Sequence, residues 1–390
     1  MNTSFNTRHS TPATLPEWLD PTPWLGKTFR AADVERALGT EMPDENTLAA
    51  LLSPAAADFL EPMAARAQAL TRRHFGKTIQ LYAPLYLSNF CNGGCLYCGF
   101  AADRRAKRTS LSPADIRFEM AHLAKMGIQE TVLLTGERMP QADVPYLRDA
   151  IEIAAKVVHN INIEVFPMDE QEYRSLAEVG CTGVTLYQET YDQDVYKRMH
   201  RWGDKSHFFR RLDAPDRALR GGMRAIGLGA LLGLADPRFD LMCVYRHAKY
   251  LLKNYWQSGV AISFPRLRPE LGGFQADQFV SDRSFARFIF AFRICLPEIP
   301  LVLSTRESVR MRDGLAGVGI NKMSVESKTT VGGYGEEHKT STGQFDISDE
   351  RSVAEFCAML HSKGLDPVFK NWDGVYRDAA RYRYSGCVSA

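Results

Sequence analysis

Between residues 78 and 324 the chain alternates eight short apolar runs with seven longer amphipathic ones. The short runs, 78–87, 130–134, 161–165, 183–187, 225–231, 260–264, 300–303 and 321–324, have the length and composition of buried strands. Between them, 112–126, 145–159, 169–179, 208–220, 239–255, 281–294 and 311–318 read as helices. The first of these has Ser112 as N-cap, Pro113 at the first helical position and Gly127 as its stop. Strands that alternate with helices make a parallel sheet. Eight such units suggest an α/β fold closed into a (β/α)8 TIM-like barrel, with a doubly wound open sheet as the alternative.

The barrel reading has a consequence that the residues themselves can meet. In such barrels chemistry sits at the C-terminal ends of the strands. A cysteine-rich loop follows the first strand, Thr135-Gly136-Glu137 follows the second, and Glu164 ends the third. Gln188 and Glu189 end the fourth, Arg266 and Arg268 the sixth, and Ser304-Thr305-Arg306-Glu307 the seventh. Random placement would scatter such groups over both rims, so the pattern supports one barrel.

The loop after the first strand holds Cys91, Cys95 and Cys98 in a C-x3-C-x2-C spacing. Three thiolates cannot complete the four-thiolate set of an ordinary cubane cluster. They can hold three irons of one [4Fe-4S] cluster and leave the fourth open to chelate a small molecule and pass it an electron. Gly93 and Gly94 let the backbone fold tightly there, and Tyr97 offers a flat face for a purine. The alternative, structural zinc, wants four ligands in paired knuckles. The other five cysteines, Cys181, Cys243, Cys295, Cys357 and Cys387, stand alone. An electron-transfer iron–sulfur protein would also need a fourth ligand.

Other strand-end groups carry two readings each. Glu164, between apolar neighbours, needs a partner, either a ribose diol or an arginine. Gly227, Gly229 and Gly233 imply a close approach, by a ligand ring or by tight barrel packing. Arg266, Arg268 and Arg306 could each take a carboxylate through a bidentate fork, which suits an amino-acid substrate. Arg306 directly follows an apolar strand and is the favoured ligand.

The formal charge of +2 removes any electrostatic case for nucleic acid or an anionic membrane. No apolar run approaches the roughly 18 residues of a membrane span, and the N-terminus has no apolar signal core. Eight cysteines without a disulfide-like framework suit a reducing cytoplasm, so a cytoplasmic enzyme is expected. The expected organisation is a disordered tail (1–24), an N-terminal helical segment (25–76), the barrel (77–330), and a C-terminal helix and tail packed on it (331–390). Within the second part, 31–38 and 53–75 read as helices, the latter with Ser53 as N-cap, Pro54 first and Gly76 as stop. A final helix is expected over 350–362.

The cysteine run resembles the signature of radical S-adenosylmethionine (SAM) proteins, whose open iron binds the amino and carboxylate groups of SAM. Glu137 stands where that family carries a Gly-Gly-Glu motif contacting the methionine amino group, although the first glycine is Thr135 here. Together with 51–56, 84–89, 187–191, 227–234, 263–269, 304–308 and 332–334, the run resembles the radical SAM aromatic amino-acid lyases. Within them it is most similar to the tyrosine lyases of thiamine biosynthesis, from about residue 29 onward.

The resemblance implies that a 5′-deoxyadenosyl radical takes hydrogen from the amino group of L-tyrosine. The Cα–Cβ bond then breaks to 2-iminoacetate (dehydroglycine) and p-cresol, with 5′-deoxyadenosine and methionine left from SAM. It implies thiazole synthase as recipient of the glycine-like fragment, and a reducing donor such as flavodoxin or ferredoxin. Arg306 becomes the clamp for the tyrosine carboxylate with Ser324 beside it. Tyr97, Gly136, Glu137, Glu164, Gln188 and Glu189 become the SAM-binding set. The hydrogenase-maturing tyrosine lyases need a second cluster on a C-terminal Cys-x2-Cys, and only Cys357 and Cys387 lie there. Tryptophan lyases stay open as an alternative.

Overall fold

The computed structural model describes residues 14–158, 160–335 and 343–369. Eight parallel strands form a closed ring: β1 (Thr78–Tyr86), β2 (Glu130–Leu134), β3 (Asn160–Glu164), β4 (Gly183–Thr185), β5 (Ala225–Gly229), β6 (Gly259–Ser263), β7 (Leu301–Leu303) and β8 (Lys322–Ser324). Closure rests on β1, which pairs with β8 through Gln80↔Lys322 and Tyr82↔Ser324 and with β2 through Ala83↔Thr131 to Tyr86↔Leu134. A doubly wound sheet would leave two edges, and this ring has none. A further strand, β9 (Asp366–Val368), pairs with the start of β1 before β2 takes over that edge. It lies in what reads as a polar tail in the sequence.

Four helices precede the barrel: α1 (Thr22–Leu25), α2 (Ala31–Gly39), α3 (Glu45–Leu52) and α4 (Leu60–Phe75). The helix expected over 53–75 is in fact a 3-10 turn, Pro54–Phe59, followed by α4. Pro62 has no N–H to offer the Asp58 carbonyl, so one α-helical ladder cannot run through both. Helix α3 was not expected. Its residues Thr47 to Leu52 are all buried, so no polar face marks a helical period. Asp44 and Thr47 close a reciprocal capping box at its start. Part of the expected disordered tail packs on the barrel: Leu19 is fully buried, and Trp18 stacks on Tyr250 with ring centroids 4.1 Å apart.

Around the barrel run α5 (Pro113–Lys125), α6 (Val144–Ala154), α7 (Glu170–Glu178), α8 (Gln193–Met199), α9 (Phe208–Leu212), α10 (Ala214–Arg220), α11 (Pro237–Asn254), α12 (Asp282–Cys295) and α13 (Val309–Leu315), with α14 (Val353–Ser362) after it. The helix expected over 145–159 stops at Ala154, and residue 159 lies outside the described residues. The one expected over 208–220 is two short helices, because Pro215 withholds the N–H that Arg211 would need. Helix α8 fills a gap that reads as loop in the sequence. None of the described helices is long and apolar enough to cross a membrane.

Candidate active site

The cysteine loop leaves the C-terminal end of β1 and is tied down on both sides. Buried Asn89 donates from Nδ2 to the Lys107 carbonyl at 2.8 Å and accepts the Thr109 N–H at 2.7 Å. Arg108 donates to the carbonyls of Asn89 at 2.6 Å and Phe100 at 2.8 Å. On the far side the Gly94 and Leu96 N–H groups donate to the Trp202 and Met199 carbonyls, each at 3.0 Å. The stretch after β4 therefore pairs with the loop. A side chain at Gly94 would overlap the Trp202 ring.

Backbone N–H groups point at the sulfurs. Those of Gly93 and Glu137 lie 3.4 Å from Cys91 Sγ, and that of Phe100 lies 3.4 Å from Cys98 Sγ. Such donors favour the thiolate. Burial nevertheless pushes all three thiols up, Cys91 to about 11. A metal reverses that penalty, since a coordinated thiol is deprotonated outright. Among the described residues no three His, Cys, Asp or Glu side chains converge on one point as ligands of a single ion. Three thiolates on one loop match three irons of a cluster, one to each, and fall one ligand short of a structural zinc site. Gly93 leaves the space between, since a Cβ there would lie 3.5 and 3.6 Å from the Cys91 and Cys95 sulfurs.

A buried charge network stands beside the loop. Glu137 follows β2, and its Oε1 accepts from Arg211 Nη1 at 3.2 Å. Arg211 also donates from Nε to the Tyr187 carbonyl at 2.7 Å, and its Nη2 lies 3.7 Å from Glu189 Oε1. Glu189 takes Lys205 Nζ at 2.6 Å. Burial pushes the Glu189 carboxyl up, but Lys205 and Arg211 more than offset this and hold it below its ordinary value. Glu137 Oε2 is buried with no hydrogen-bond partner among the described residues. It is an open acceptor next to the cysteine loop, which suits the amino group of SAM.

Inside the barrel lies a cavity of about 670 Å³. Interiors of (β/α)8 barrels are usually filled by bulky branched side chains. Here Ala225, Gly227 and Ala261 line the lumen and leave it hollow. The glycines of β5 are explained by packing. A Cβ at Gly227 would meet Thr185 Oγ1 at 2.6 Å, and one at Gly229 would meet the Tyr187 ring at 2.8 Å.

Arg306, Glu164, Tyr82, Tyr187 and Phe345 also line this cavity. The Arg306 guanidinium lies 3.4 Å from the Phe345 ring centroid, and it makes no hydrogen bond or ion pair among the described residues. The other strand-end arginines are occupied. Arg266 grips Glu307 with Nε at 2.9 Å and with Nη2, and donates from Nη1 to the Val280 carbonyl at 3.0 Å. Arg268 donates to Ser348. Arg306 is thus the open cation that a carboxylate needs. Glu164 lacks any carboxylate hydrogen bond among the described residues. Burial pushes it up to about 7, with Arg306 the main opposing charge.

The remaining expected site residues divide by location. Ser324 lines the cavity, and its Oγ accepts from the Thr305 N–H and from Ser327, each at 3.1 Å, which braces the segment carrying Arg306. Gly136 packs against the loop, where a Cβ would overlap the Phe90 carbonyl and come within 2.7 Å of Cys91 Cβ. Gln188 is buried and donates to the Phe208 carbonyl at 3.3 Å. Tyr97 is only 8% exposed, enclosed by Met199, Leu231 and Leu234. Its hydroxyl meets His200 Nε2 at 2.7 Å, so the ring anchors the loop and leaves little face for a purine.

Lys205, Arg211 and Phe345 belong to the site with no mark in the sequence. The two cations look like any of the basic residues between 197 and 211, and Phe345 lies beyond the eighth strand. Gln344 is a further such residue, accepting the Tyr86 hydroxyl at 2.7 Å and lying 3.7 Å from Cys98 Sγ.

Comparison with known proteins extends the geometry. The Radical SAM superfamily matches residues 85–238, and the Biotin and Thiamin Synthesis associated domain matches 263–366. The chain is 45% identical to 2-iminoacetate synthase of Escherichia coli (strain K12) over 357 residues, 91% of this chain and 94% of that one. It is 43% identical to 2-iminoacetate synthase of Salmonella typhimurium over 92% of this chain and 94% of that one. Among solved structures, HydG, a maturase of the [FeFe]-hydrogenase, superposes with a TM-score of 0.83 at 29% identity, covering 92% of this chain and 80% of that one.

Proposed function

Because this chain belongs to the 2-iminoacetate synthase family of radical SAM enzymes, we propose that L-tyrosine occupies the lumenal cavity with its carboxylate on Arg306. The activity is that of a tyrosine lyase of thiamine biosynthesis, a carbon–carbon lyase that cleaves tyrosine between Cα and Cβ into 2-iminoacetate and p-cresol. Cys91, Cys95 and Cys98 would hold a [4Fe-4S] cluster, which together with SAM would supply the radical chemistry that takes hydrogen from the tyrosine amine. The chain's own residues bind, orient and exclude water. Arg306 presents a planar fork to the carboxylate, and stacking on Phe345 holds that plane. Glu137 offers its free oxygen to the amino group of SAM, and Arg211 and the Glu189–Lys205 pair keep Glu137 in place.

The observation that carries the substrate assignment is the open guanidinium of Arg306 in a cavity of about 670 Å³. That volume lies within the usual range for a small-molecule site. 2-Iminoacetate hydrolyses readily, so the product passes to thiazole synthase, and a reduced flavodoxin or ferredoxin supplies electrons. The match to the Biotin and Thiamin Synthesis associated domain supports the thiamine setting.

The test is anaerobic turnover of reconstituted enzyme with SAM, a reductant and either tyrosine or tryptophan, followed by mass spectrometry. Tyrosine should give p-cresol and, without thiazole synthase, glyoxylate. Stoichiometric carbon monoxide would place the chain with the hydrogenase maturases, and an indole product from tryptophan would place it with the tryptophan lyases.

A further inference from the structure

Arg306 and Glu164 carry opposite charges, line one cavity, and form no ion pair with each other or with another described residue. Both are half-buried on the cavity wall, and a ligand that enters and displaces the water there must supply both partners. The other acids near the rim are at least partly paired, and the free Oε2 of Glu137 lies beside the cysteine loop and outside this cavity. Glu137 and Glu189 are held by Arg211 and Lys205, beside the cysteine loop. The complement of an open cation and an open carboxylate in one cavity is a zwitterion.

We propose that Glu164 binds the α-ammonium group of the substrate, so that Arg306 and Glu164 together form a receptor for a free α-amino acid. This rests on the placement of the substrate carboxylate on Arg306. It also moves Glu164 from the SAM ribose, where the sequence suggested it, to the substrate. The cavity that Glu164 lines includes none of Cys91, Cys95 and Cys98, and neither Glu137, Gln188 nor Glu189.

The charged and titratable groups around Glu164 come from three parts of the rim. Tyr82 and Tyr86 lie on β1, and Tyr187 follows β4. Glu189, Lys205 and Arg211 come from the segment after β4, and Arg306 from the end of β7. Burial pushes all three tyrosines upward, nearby carboxylates hold Lys205 and Arg211 cationic, and Glu189 is held below its ordinary value, so Glu164 is the group that changes charge there. An ammonium prefers the ionised carboxylate. Binding of tyrosine near pH 7 therefore releases part of a proton, and affinity rises with pH up to about 7.

The experiment is isothermal calorimetry on anaerobic, cluster-reconstituted enzyme with SAM and no reductant, which prevents turnover. Tyrosine and its desamino analogue 3-(4-hydroxyphenyl)propionate are titrated from pH 5.5 to 8. Tyrosine should tighten roughly tenfold per pH unit below 7 and then level off. The desamino analogue, which keeps the carboxylate but lacks the cation, should show the opposite slope, because ionised Glu164 repels it. In Glu164→Gln both slopes should flatten, tyrosine should weaken at least tenfold at pH 7.5, and the analogue should bind no worse. The wild-type comparison stands whether or not the variant folds. Parallel slopes for the two ligands would overturn the proposal, as would a variant that loses SAM affinity and keeps tyrosine affinity. If wild-type enzyme binds SAM but neither tyrosine nor the analogue, the carboxylate placement itself fails.

Discussion

Replacing Arg306 should separate binding from folding. In the free protein its guanidinium has no hydrogen bond or ion pair among the described residues, only the ring of Phe345 at 3.4 Å. Arg306→Gln therefore removes a half-buried cation that forms no ion pair with a described carboxylate, and Glu164, whose main opposing charge it is, can take up a proton instead, so the melting temperature should change little. In the complex the same change strands the tyrosine carboxylate. Truncating one member of a buried, hydrogen-bonded charge pair costs about 2–5 kcal/mol, which is a loss of roughly 30- to several-thousand-fold in affinity. Arg306→Lys keeps the charge but loses the planar fork and most of the stacking on Phe345, so it should recover only a minor part. The assay is equilibrium binding of tyrosine and of SAM to oxidised, reconstituted enzyme, with thermal unfolding alongside. Tyrosine binding should fall and SAM binding should hold. Equal weakening of both ligands, or a drop in melting temperature that tracks the lost affinity, would refute the carboxylate clamp and make Arg306 a structural residue.

Alanine at Cys91, Cys95 or Cys98 should abolish iron incorporation, measured as iron and sulfide per chain, while alanine at Cys181, Cys243, Cys295 or Cys357 should not. A Gly136→Ala variant should lose cluster occupancy with its barrel intact by circular dichroism, because the methyl group overlaps the Phe90 carbonyl and the Cys91 side chain. Arg211→Gln strands Glu137 beside the cysteine loop and should cost about 3–5 kcal/mol in chemical denaturation; a loss below about 1 kcal/mol would mean that the network is solvent-screened. His247 is buried and pushed down to about 3 by that burial, with Nδ1 3.0 Å from the Tyr191 hydroxyl and Nε2 without a hydrogen-bond partner among the described residues. The unfolded chain takes up a proton below about pH 6.5 that the folded chain refuses down to about 3, so stability should fall across that window by up to ~1.4 kcal/mol per pH unit. A His247→Phe variant should show an acid slope shallower by about one proton in urea titrations at pH 6.5 and 5.0; an unchanged slope would rule this out.

Much of the fold was legible because its signals are local. Strand and helix periods, the cap at Ser112 and the stop at Gly76 each sit within a few residues of what they control. The departures came where local signals were silent or overridden. Helix α3 is buried almost all round and carries no amphipathic period. Pro62 and Pro215 interrupt what reads as two continuous helices. Strand β9 is three residues long and is defined only by its pairing with β1.

The same division runs through the site. The spacing of Cys91, Cys95 and Cys98, and the placing of Glu137, Glu164 and Arg306 at strand ends, follow from sequence alone, since a three-thiolate set and a strand terminus are properties of short segments. Which charges are already satisfied does not. Arg266 and Arg306 look alike in sequence, yet Glu307 occupies Arg266, and Phe345 leaves Arg306 open. Glu137 and Arg211 are 74 residues apart and meet only because β2 and the segment after β4 share one rim. Pair energies fall off within a few ångströms, so a residue's role in this barrel is decided by its neighbour in space, which only closure of the barrel supplies.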